Sequence, residues 1–319
     1  MNKINVALVG LGNISKKHIQ AIQKTQEFKL VSVCDPKKKL QEFKVYKNID
    51  EMFQNEKNIE LVSITSPSGL HYNQVIKSLK FKKNVIVEKP LSMNLRQSKE
   101  ILKLSKKNKK KVFVVYQNRL SPLIKIVNQK IKNKHLGKLI AFNSTLYWNR
   151  EDKYYKKSKW RGSKKLDGGV VMNQGTHNLD IFCNFFGKVK SVYCTKVKIK
   201  KYLECEDTCL ISFIFKNNLI GSFTLSTAVN KENYSNQIEI LGVKKNISLL
   251  GNNLNILKYQ NKITLFKKNN DLHQYFYKFV SKILLKKKKN IFSIESVMNS
   301  MKLVDAINKS LRTNSKINL

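Results

Sequence analysis

The sequence predicts two domains, an α/β domain with a parallel sheet and then an α+β domain with a large, open and mainly antiparallel sheet. The chain has 319 residues, which is long for a single core. Strand patterns alternate with helices in the first part, whereas later strands follow one another with short turns. We place the domains at 1–120 and 121–319, with the boundary near Arg119–Pro122.

The first segment, "INVALVGLGNISKKHIQAI", predicts a strand from Ile4 to Val9, a glycine turn and a helix. Gly10 permits the tight turn, and Gly12 lets the backbone approach a pyrophosphate at the helix N-terminus. Ser15 stands where a third glycine or an alanine is common. Taken alone, this pattern is a weak signal, and an ordinary βα unit with a chance glycine pair is the alternative.

A second strand, "KLVSVCD", ends in Asp35, 23 residues after Gly12. A carboxylate at that position hydrogen-bonds a ribose diol and repels a 2′-phosphate, so it favours NAD over NADP. Lys37 to Lys39 follow immediately and can soften that preference. Together, the two segments predict a Rossmann dinucleotide-binding domain with NAD as its cofactor.

The alternation then continues with three strands, "IELVSITSP", "NVIVEKP" and "KVFVVYQNR", and two helices, "LHYNQVIKSLK" and "NLRQSKEILKLSKK". The loops after Val9, Thr65 and Val87 are expected at the carboxyl edge of the sheet, where such folds bind ligands. Thr65, Ser66 and Pro67 are expected to line the cofactor groove through backbone contacts.

The second domain begins with a helix, Leu123 to Lys132, and a long strand, "KLIAFNSTLYW". Six further strands have short turns, which predicts an antiparallel sheet. Two amphipathic helices close the chain, Leu272 to Leu284 and Ile294 to Leu311, and we expect the second to return toward the first domain. An open sheet with apolar outer positions predicts a homo-oligomer, a dimer or a tetramer.

The formal charge of +41 invites a nucleic-acid interpretation. Five of the 62 basic residues are Arg, and the lysines occur from end to end rather than along one stripe. The runs Lys106 to Lys111 and Lys286 to Lys289 have the character of a helix end and a loop in water. Because no nucleic-acid motif accompanies the charge, we do not expect nucleic acid as the main partner.

The five cysteines have no CxxC spacing, and no histidine near Cys205 and Cys209 completes a zinc site. Reduced thiols in the cytoplasm are expected, and no metal site is predicted. No apolar run approaches the roughly 18 residues that span a bilayer, so no membrane span is expected.

The segment "KKLDGGVVMNQGTHNLDIF" joins a glycine pair to polar and apolar residues. If it is helical after the glycines, Asn173, His177 and Asp180 stand at i, i+4 and i+7 and share one face. The role of Asp180 is left open, since an aspartate there more often caps or pairs than catalyses.

At "GLGNISKKH", "SPSGLHYNQVI", "VEKPLS" and "GGVVMNQGTHNLD" the chain resembles the Gfo/Idh/MocA family of nicotinamide-dependent sugar oxidoreductases, over essentially its whole length. The resemblance implies that Lys89 contacts the nicotinamide and the reacting hydroxyl. It also implies that His177 is the general base or the partner of that lysine. Many members carry an aspartate where this chain has Asn173, which weakens a lysine–aspartate–histidine relay.

The Asn-Gln-Gly-x-His motif is similar to that of the UDP-N-acetylglucosaminuronate dehydrogenases, which form a 3-keto sugar nucleotide. The preceding segment, "YWNREDKYYKKSKWRGSKKLDGG", resembles the same subgroup. Oxidation of a secondary alcohol needs a base for the hydroxyl proton. Neutral histidine, a lysine of lowered pKa, or an ammonium that stabilises alkoxide charge would each fit, so the identity of the base stays open.

Arg150 and Arg161 lie within a 12-residue span beside several aromatic residues. Guanidinium groups bind carboxylate and diphosphate bidentately, and aromatic rings stack on a uracil or sugar face. The alternative is an ordinary loop whose aromatics pack the domain interface. Arg119 is also a candidate substrate contact, but it is equally suited to a structural salt bridge.

The predicted catalytic residues are Lys89 and His177. The predicted cofactor-binding residues are Gly10, Gly12, Asn13, Ile14, Asp35, Thr65, Pro67, His71, Glu88 and Lys89. The predicted substrate-binding residues are Lys89, Arg119, Tyr147, Arg150, Tyr155, Trp160, Arg161, Asn173, Gln174 and His177. A structural role is the alternative for His71, as the start of its helix, and for His18, which lies on the first helix near the expected phosphates.

The predicted function is therefore NAD-dependent oxidation of the C3 hydroxyl of a UDP-linked N-acetylated amino sugar acid, an anionic substrate, in surface polysaccharide synthesis. One alternative is another dehydrogenase of the family that acts on a free sugar or inositol. The other is an NAD-binding regulatory protein that has lost the chemistry.

Overall fold

The computed structural model describes residues 3–38, 40–266, 271–285 and 290–319. The chain forms two compact units, Met1–Gln117 with Asn270–Met298, and Asn118–Asn269 with Asn299–Leu319. The run Lys286 to Lys289 and Lys39 lie outside the described residues. Within the described ranges, no helix combines the length and the apolar character that crossing a membrane requires.

The first unit contains a parallel sheet whose strands are β1 (Ile4–Val9), β2 (Phe28–Cys34), β3 (Val45–Tyr46), β4 (Leu61–Ile64), β5 (Asn84–Val87) and β6 (Val112–Val114). Its helices before the boundary are α1 (Ser15–Gln23), α2 (Ile49–Asn55), α3 (His71–Lys80) and α4 (Leu95–Lys107). The strand order is β3-β2-β1-β4-β5-β6, which is that of a Rossmann sheet. The predicted fold of this unit is confirmed, although β3 and α2 were not predicted.

Central strands of this sheet are buried along nearly their whole length. Strand β4 is buried throughout, and β1 and β5 are buried over their last four and three residues. Helices on both faces of a parallel sheet produce such continuous burial. The carboxyl ends of β1, β4 and β5 therefore share one edge, where the glycine turn, Thr65 and Glu88 begin the loops.

The second unit contains a nine-stranded sheet with the strands β7 (Leu139–Tyr147), β8 (Val189–Val197), β9 (Thr208–Phe215), β10 (Ile220–Ser226), β11 (Ser235–Gly242), β12 (Ile247–Leu250), β13 (Ile256–Tyr259), β14 (Lys262–Leu265) and β15 (Ile317–Asn318). The order is β14-β13-β12-β11-β7-β10-β9-β8-β15. All pairs are antiparallel except β10 with β7, which is parallel. The prediction of a large, mainly antiparallel sheet is confirmed.

Three helices of the second unit precede β8, namely α5 (Pro122–Lys132), α6 (Asp152–Lys156) and α7 (Thr176–Phe186). Helix α7 packs its aromatic residues on the inner face of the sheet. The ring of Phe142 on β7 lies 4.9 Å from that of Phe182 and 4.6 Å from that of Phe186. This aromatic core fixes α7, and with it the segment that carries His177.

The sequence predicts apolar residues on the outer face of this sheet. In the structure, this face is half-exposed and mainly polar. Its central positions carry mostly hydroxyl and amide side chains, with a few apolar ones such as Leu210 and Ile214. Two of these polar contacts cross neighbouring strands, Thr145 Oγ1 to Ser235 Oγ at 3.1 Å and Ser222 Oγ to Asn143 Oδ1 at 2.9 Å.

The chain closes with α8 (Leu272–Leu284) and α9 (Ile294–Thr313). The first unit includes α8 and the start of α9, the helix that we expect from the sequence to return toward the first domain. Helix α9 contributes only its first residues, up to Met298, to the first unit. Polar contacts help to hold α8 in the first unit, because Tyr277 on α8 hydrogen-bonds side chains of α1 and β4.

Candidate active site

The glycine turn after β1 is held in place by the next strands of the first unit. Gly10 has a φ of +96°, and a Cβ atom there would lie 2.7 Å from the backbone nitrogen of Ser66. Thr65 Oγ1 donates to the Gly10 carbonyl at 2.6 Å. Only glycine accepts both the left-handed backbone and the close contact, so the tight turn predicted at Gly10 is present.

Gly12 differs, because the nearest atom to a Cβ built there is the Thr65 carbonyl oxygen at 3.8 Å. Helix α1, which follows, has no acidic residue in its first turn, and Lys16 and Lys17 are exposed there. A helix N-terminus with open backbone and nearby cations suits a pyrophosphate. The turn therefore fits the diphosphate of a dinucleotide.

Asp35 lies directly after β2 and braces the same turn. Its Oδ2 accepts the Leu11 N–H at 2.7 Å, and its Oδ1 accepts the N–H groups of Lys37 and Lys38 at 2.9 Å. Burial opposes ionisation, but these three backbone donors outweigh it and lower the pKa of Asp35. The carboxylate is therefore charged near neutral pH and suited to accept hydrogen bonds from a ribose diol.

Two predicted cofactor contacts have internal partners. His71 is 1% exposed, and its ring nitrogens lie 2.7 Å from the Pro90 carbonyl and 3.0 Å from the Ser66 carbonyl. It begins helix α3, so the structure supports the structural alternative for this residue. Glu88 turns into the first unit, where its carboxylate accepts a hydrogen bond from His18 at 2.9 Å.

Lys89 follows Glu88 at the end of β5 and is half-buried. Its backbone N–H lies 3.2 Å from Glu88 Oε2. Asn13, Ile14 and Pro67, the remaining predicted cofactor residues, are half-exposed or exposed in loops at the same sheet edge.

In the second unit, the predicted helix after the glycine pair starts with a π-helical turn, Val171–Gly175, and continues as α7. Asn173 and His177 are half-exposed, whereas Gln174, Gly175 and Thr176 between them are buried. Asn173 and His177 therefore share the accessible side of this segment. Gln174 is 6% exposed, which favours a packing role.

A buried carboxylate connects the polar motifs of this unit. Asp167 Oδ1 accepts a short hydrogen bond from Asn173 Nδ2, and Asp167 Oδ2 accepts the Gly162 N–H at 2.7 Å. Asp167 thus joins the "WRG", "DGG" and "NQG" segments. Sequence reasoning missed it, although the aspartate before two glycines was a visible signal.

Asp180 has a structural role and does not share the accessible face of Asn173 and His177. It is 1% exposed and accepts hydrogen bonds from Arg119 at 2.5 and 2.7 Å and from Ser300 at 2.7 Å. The two hydrogen bonds between this guanidinium and this carboxylate satisfy the buried charges of both residues. For Arg119 the structure therefore supports the salt-bridge alternative over a substrate contact.

Arg150 and Arg161 meet at the ring of Tyr154. Their guanidinium carbons lie 5.2 and 3.9 Å from its centroid. The Nε–H groups of both arginines and the indole N–H of Trp148 are buried and have no hydrogen-bond acceptor within the described ranges. No carboxylate of the described chain forms an ion pair with either guanidinium. Each Nη1 donates to amide oxygens, that of Arg150 to Asn149 and Asn233 at 2.7 and 3.3 Å and that of Arg161 to Tyr154 at 3.1 Å. Guanidinium groups that pair only with neutral acceptors of the described chain suit an anionic group.

The other aromatic residues predicted to bind substrate differ in accessibility. Tyr155 is 8% exposed and its hydroxyl lies 2.9 Å from Thr227 Oγ1, and burial raises the pKa of Tyr155 to about 12. An internal role follows for Tyr155, while Tyr154, not chosen from the sequence, takes the place between the arginines. Tyr147 and Trp160 are half-buried.

Two family models match consecutive parts of the chain. Residues 4–116 match the oxidoreductase family with an NAD-binding Rossmann fold, and residues 124–248 match the GFO/IDH/MocA C-terminal domain. The chain belongs to the Gfo/Idh/MocA oxidoreductase family. It is an NAD-dependent oxidoreductase that acts on CH–OH groups, as the sequence predicts.

Two solved structures and one sequence relative show what the chain is similar to. The WlbA dehydrogenase from Bordetella pertussis, in complex with NADH and UDP-GlcNAcA, is 26% identical, with a TM-score of 0.92 over 100% of this chain and 98% of that chain. The WlbA dehydrogenase from Chromobacterium violaceum, with the same two ligands, is also 26% identical, with a TM-score of 0.92 over 100% and 96%. Myo-inositol 2-dehydrogenase from Thermotoga maritima is 25% identical over 76% of this chain and 74% of that protein.

Proposed function

We propose that this protein oxidises the C3 hydroxyl of a UDP-linked N-acetylated amino sugar acid to the 3-keto sugar, with NAD as oxidant, in surface polysaccharide synthesis. The observation that carries the proposal is the arginine pair around Tyr154. Two guanidinium groups without a carboxylate partner in the described chain fit a substrate with a diphosphate and a carboxylate. The similar WlbA dehydrogenases, which hold UDP-GlcNAcA, support the same substrate class.

The reaction moves a proton and a hydride from the alcohol. The hydroxyl proton passes to a base of the protein and the hydride on C3 leaves with its electron pair, so C3 becomes a carbonyl. NAD, when bound, supplies the hydride acceptor. His177 in its neutral form is suited to take the proton, and an ammonium at Lys89 to hold the oxygen as negative charge develops. A neutral Lys89 as base is the alternative.

Single-turnover oxidation tests the proposal. Stoichiometric protein is mixed with NAD and UDP-N-acetylglucosaminuronate, and absorbance of the reduced nicotinamide is followed, because tightly held NADH would hide multiple turnovers. We expect a burst that Lys89→Ala and His177→Ala abolish. Without a burst, and with NAD binding measured separately, the nucleotide-sugar assignment is wrong.

A second candidate is oxidation of a free sugar or an inositol, which the similarity to myo-inositol 2-dehydrogenase favours. Such substrates have no diphosphate, so they do not need the arginine pair. Arg150→Ala and Arg161→Ala distinguish the two substrate classes. Loss of activity in both supports the nucleotide sugar, and full activity toward an inositol supports the alternative.

We infer a homo-oligomer from the charge pattern of the second sheet. Lys and Arg make up 62 of 319 residues, yet the neighbouring strands β11, β7, β10 and β9 contain neither. Copies with a charge of +41 repel each other, so a face without lysine is the one that two copies can bury at least cost. The proposed interface is the outer face of these four strands.

We also infer a cytoplasmic location from the cysteines. All five are free, and four of them are buried. Thiols kept reduced are the usual state in the cytoplasm.

A further inference from the structure

A buried polar cluster lies behind the Lys89 loop in the first unit. His18 on α1 binds Glu88 Oε1 through Nε2 at 2.9 Å, and its Nδ1 lies 2.8 Å from Tyr277 Oη and 3.2 Å from Ser63 Oγ. Tyr277 Oη and Ser63 Oγ are 2.7 Å apart, and His273 Nε2 lies 3.7 Å from Glu88 Oε1. His18, Ser63 and Tyr277 are fully buried, and Glu88 and His273 are each 8% exposed.

The protons of this cluster can be assigned from its contacts. Burial opposes ionisation of Glu88, but the hydrogen bond from His18 and the nearby ring of His273 outweigh it and hold the pKa of Glu88 well below its ordinary value. An ionised carboxylate only accepts, so His18 Nε2 carries a proton. Burial lowers the pKa of His18. Its Nδ1 is then an acceptor and Tyr277 the donor.

A tetrahedral zinc ion would require different distances. His18, Glu88 and His273 place three possible ligand atoms within 4.8 Å of one another. Tetrahedral zinc with bonds of about 2.0–2.1 Å separates its ligand atoms by roughly 3.4 Å. His18 Nε2 and Glu88 Oε1 are 2.9 Å apart, which is a hydrogen-bond distance, and the second contact is 3.7 Å. The first pair therefore has the geometry of a hydrogen bond and not that of two ligands on a tetrahedral zinc ion.

The cluster is connected to the backbone of Lys89. Glu88 Oε2 is 3.2 Å from the Lys89 N–H, and on the other side of Lys89 the Pro90 carbonyl lies 2.7 Å from His71. Two buried side chains thus hold the Glu88–Lys89 peptide group and the Pro90–Leu91 peptide group, one on each side of Lys89. A shift in the Glu88 carboxylate would displace the Lys89 side chain with it.

We propose that His273 and Tyr277 on helix α8 are positioning residues that, through His18 and Glu88, fix the orientation of Lys89 for hydride transfer. This inference rests on the proposed catalytic role of Lys89. His273 and Tyr277 stand at i and i+4, so one face of α8 presents both to the cluster. They lie outside residues 4–116 and 124–248, which match the family models.

Two variants with matched controls test the proposal. Tyr277→Phe removes one hydroxyl, and His273→Leu removes the second imidazole near Glu88. The controls are Tyr275→Phe, on the same helix at 48% exposure, and His135→Gln, an exposed histidine. We expect the single-turnover rate to fall about tenfold or more in both test variants, while the Kd of NAD and the KM change less than about threefold. His273→Gln, which returns a nitrogen near Glu88, should recover much of the rate.

A second readout does not depend on the substrate. An amine-reactive acylating reagent modifies Lys89 in the protein alone, and mass spectrometry compares its rate with that of exposed Lys29. We expect Lys89 to react about threefold faster in Tyr277→Phe and His273→Leu, with Lys29 unchanged, because a released side chain is more accessible.

These readouts separate the two proposals. If the wild type oxidises no substrate, the proposed function fails and the labelling still decides the positioning role. Unchanged labelling of Lys89 in both test variants would overturn the positioning role, whether or not the wild type is active. So would equal acceleration at Lys89 and Lys29, which would show general loosening of the fold.

Discussion

Asn173 donates its amide to the buried carboxylate of Asp167, and this pairing makes an aspartate at position 173 unfavourable. We expect Asn173→Asp to destabilise the protein by about 2–3 kcal/mol at pH 8, because two carboxylates in contact cannot both ionise. The loss should shrink at pH 5, where one of them is protonated. Urea unfolding at the two pH values measures the difference.

The control is the exchanged pair, Asp167→Asn with Asn173→Asp, which keeps one amide and one carboxylate in contact. It should recover most of the lost free energy of unfolding. An Asn173→Asp single variant as stable as the wild type at pH 8 would contradict the pairing.

The buried surroundings of Glu206 should make the stability of the protein depend on pH. Its Oε1 is buried without a hydrogen-bond partner in the described chain, and burial raises the pKa of Glu206 to about 7. A carboxyl whose folded pKa is raised stabilises the protein in its protonated form, and this contribution is lost as the pH rises from about 4.5 to 7. We expect Glu206→Gln to become more stable than the wild type by up to about 3 kcal/mol above pH 7.

The measurement is the free energy of unfolding across pH 4.5 to 8 for both proteins. Glu204→Gln, at an exposed neighbouring position, is the control and should follow the wild type. Parallel curves for Glu206→Gln and the wild type would show that folding leaves the pKa of Glu206 unshifted.

At the scale of elements, we expect the two glycines of the β1–α1 turn to have different roles, Gly10 in the stability of the fold and Gly12 in the binding of NAD. Gly10 has a positive φ and contacts Ser66 backbone, so Gly10→Ala should cost about 2–4 kcal/mol of stability. Gly12 has open space around it. We expect Gly12→Ala to unfold within about 1 kcal/mol of the wild type but to bind NAD at least about tenfold more weakly, because its methyl group occupies the approach to the pyrophosphate.

Thermal unfolding and titration with NADH fluorescence separate the two effects. If Gly12→Ala bound NAD as tightly as the wild type, the turn would not be the pyrophosphate site.

Local patterns predicted most elements of the sheets and few of their irregularities. The strands of the first sheet are readable because parallel strands buried on both faces appear as short apolar runs. The two-residue strand β3 is too short for any pattern. The π-helical turn Val171–Gly175 has no sequence signature, and the parallel pairing of β10 with β7 depends on the order of the strands in space.

Some site residues were likewise predictable from local motifs, whereas their partners depend on the fold. Lys89 and His177 were recognised from motifs, whereas the partners of Asp180 and Glu88 come from distant segments. His273 is 185 residues from Glu88 in the sequence, and no spacing rule connects them. For Arg119 and His71, burial and the surrounding acceptor groups favour the structural alternatives.

At the scale of the whole molecule, the distribution of lysine is more informative than the net charge. The four central strands of the second sheet lack Lys and Arg in a chain that is rich in them. Water-exposed strand faces of such a chain would be expected to carry several lysines. The proposed interface between copies would account for their absence, since an unpaired ammonium is costly to desolvate.

Thr224→Lys places a lysine at the centre of this face, since Thr224 on β10 lies opposite Thr145 on β7 and Leu210 on β9. We expect the variant to associate at least about tenfold more weakly than the wild type, by repulsion and desolvation of the new ammonium. Light scattering over a range of protein concentrations measures the mass. Ile263→Lys, on edge strand β14 at 69% exposure, is the control and should leave it unchanged. A wild type that is monomeric at every concentration, or a Thr224→Lys variant that associates like Ile263→Lys, would mean that the lysine-free face is not the interface between copies.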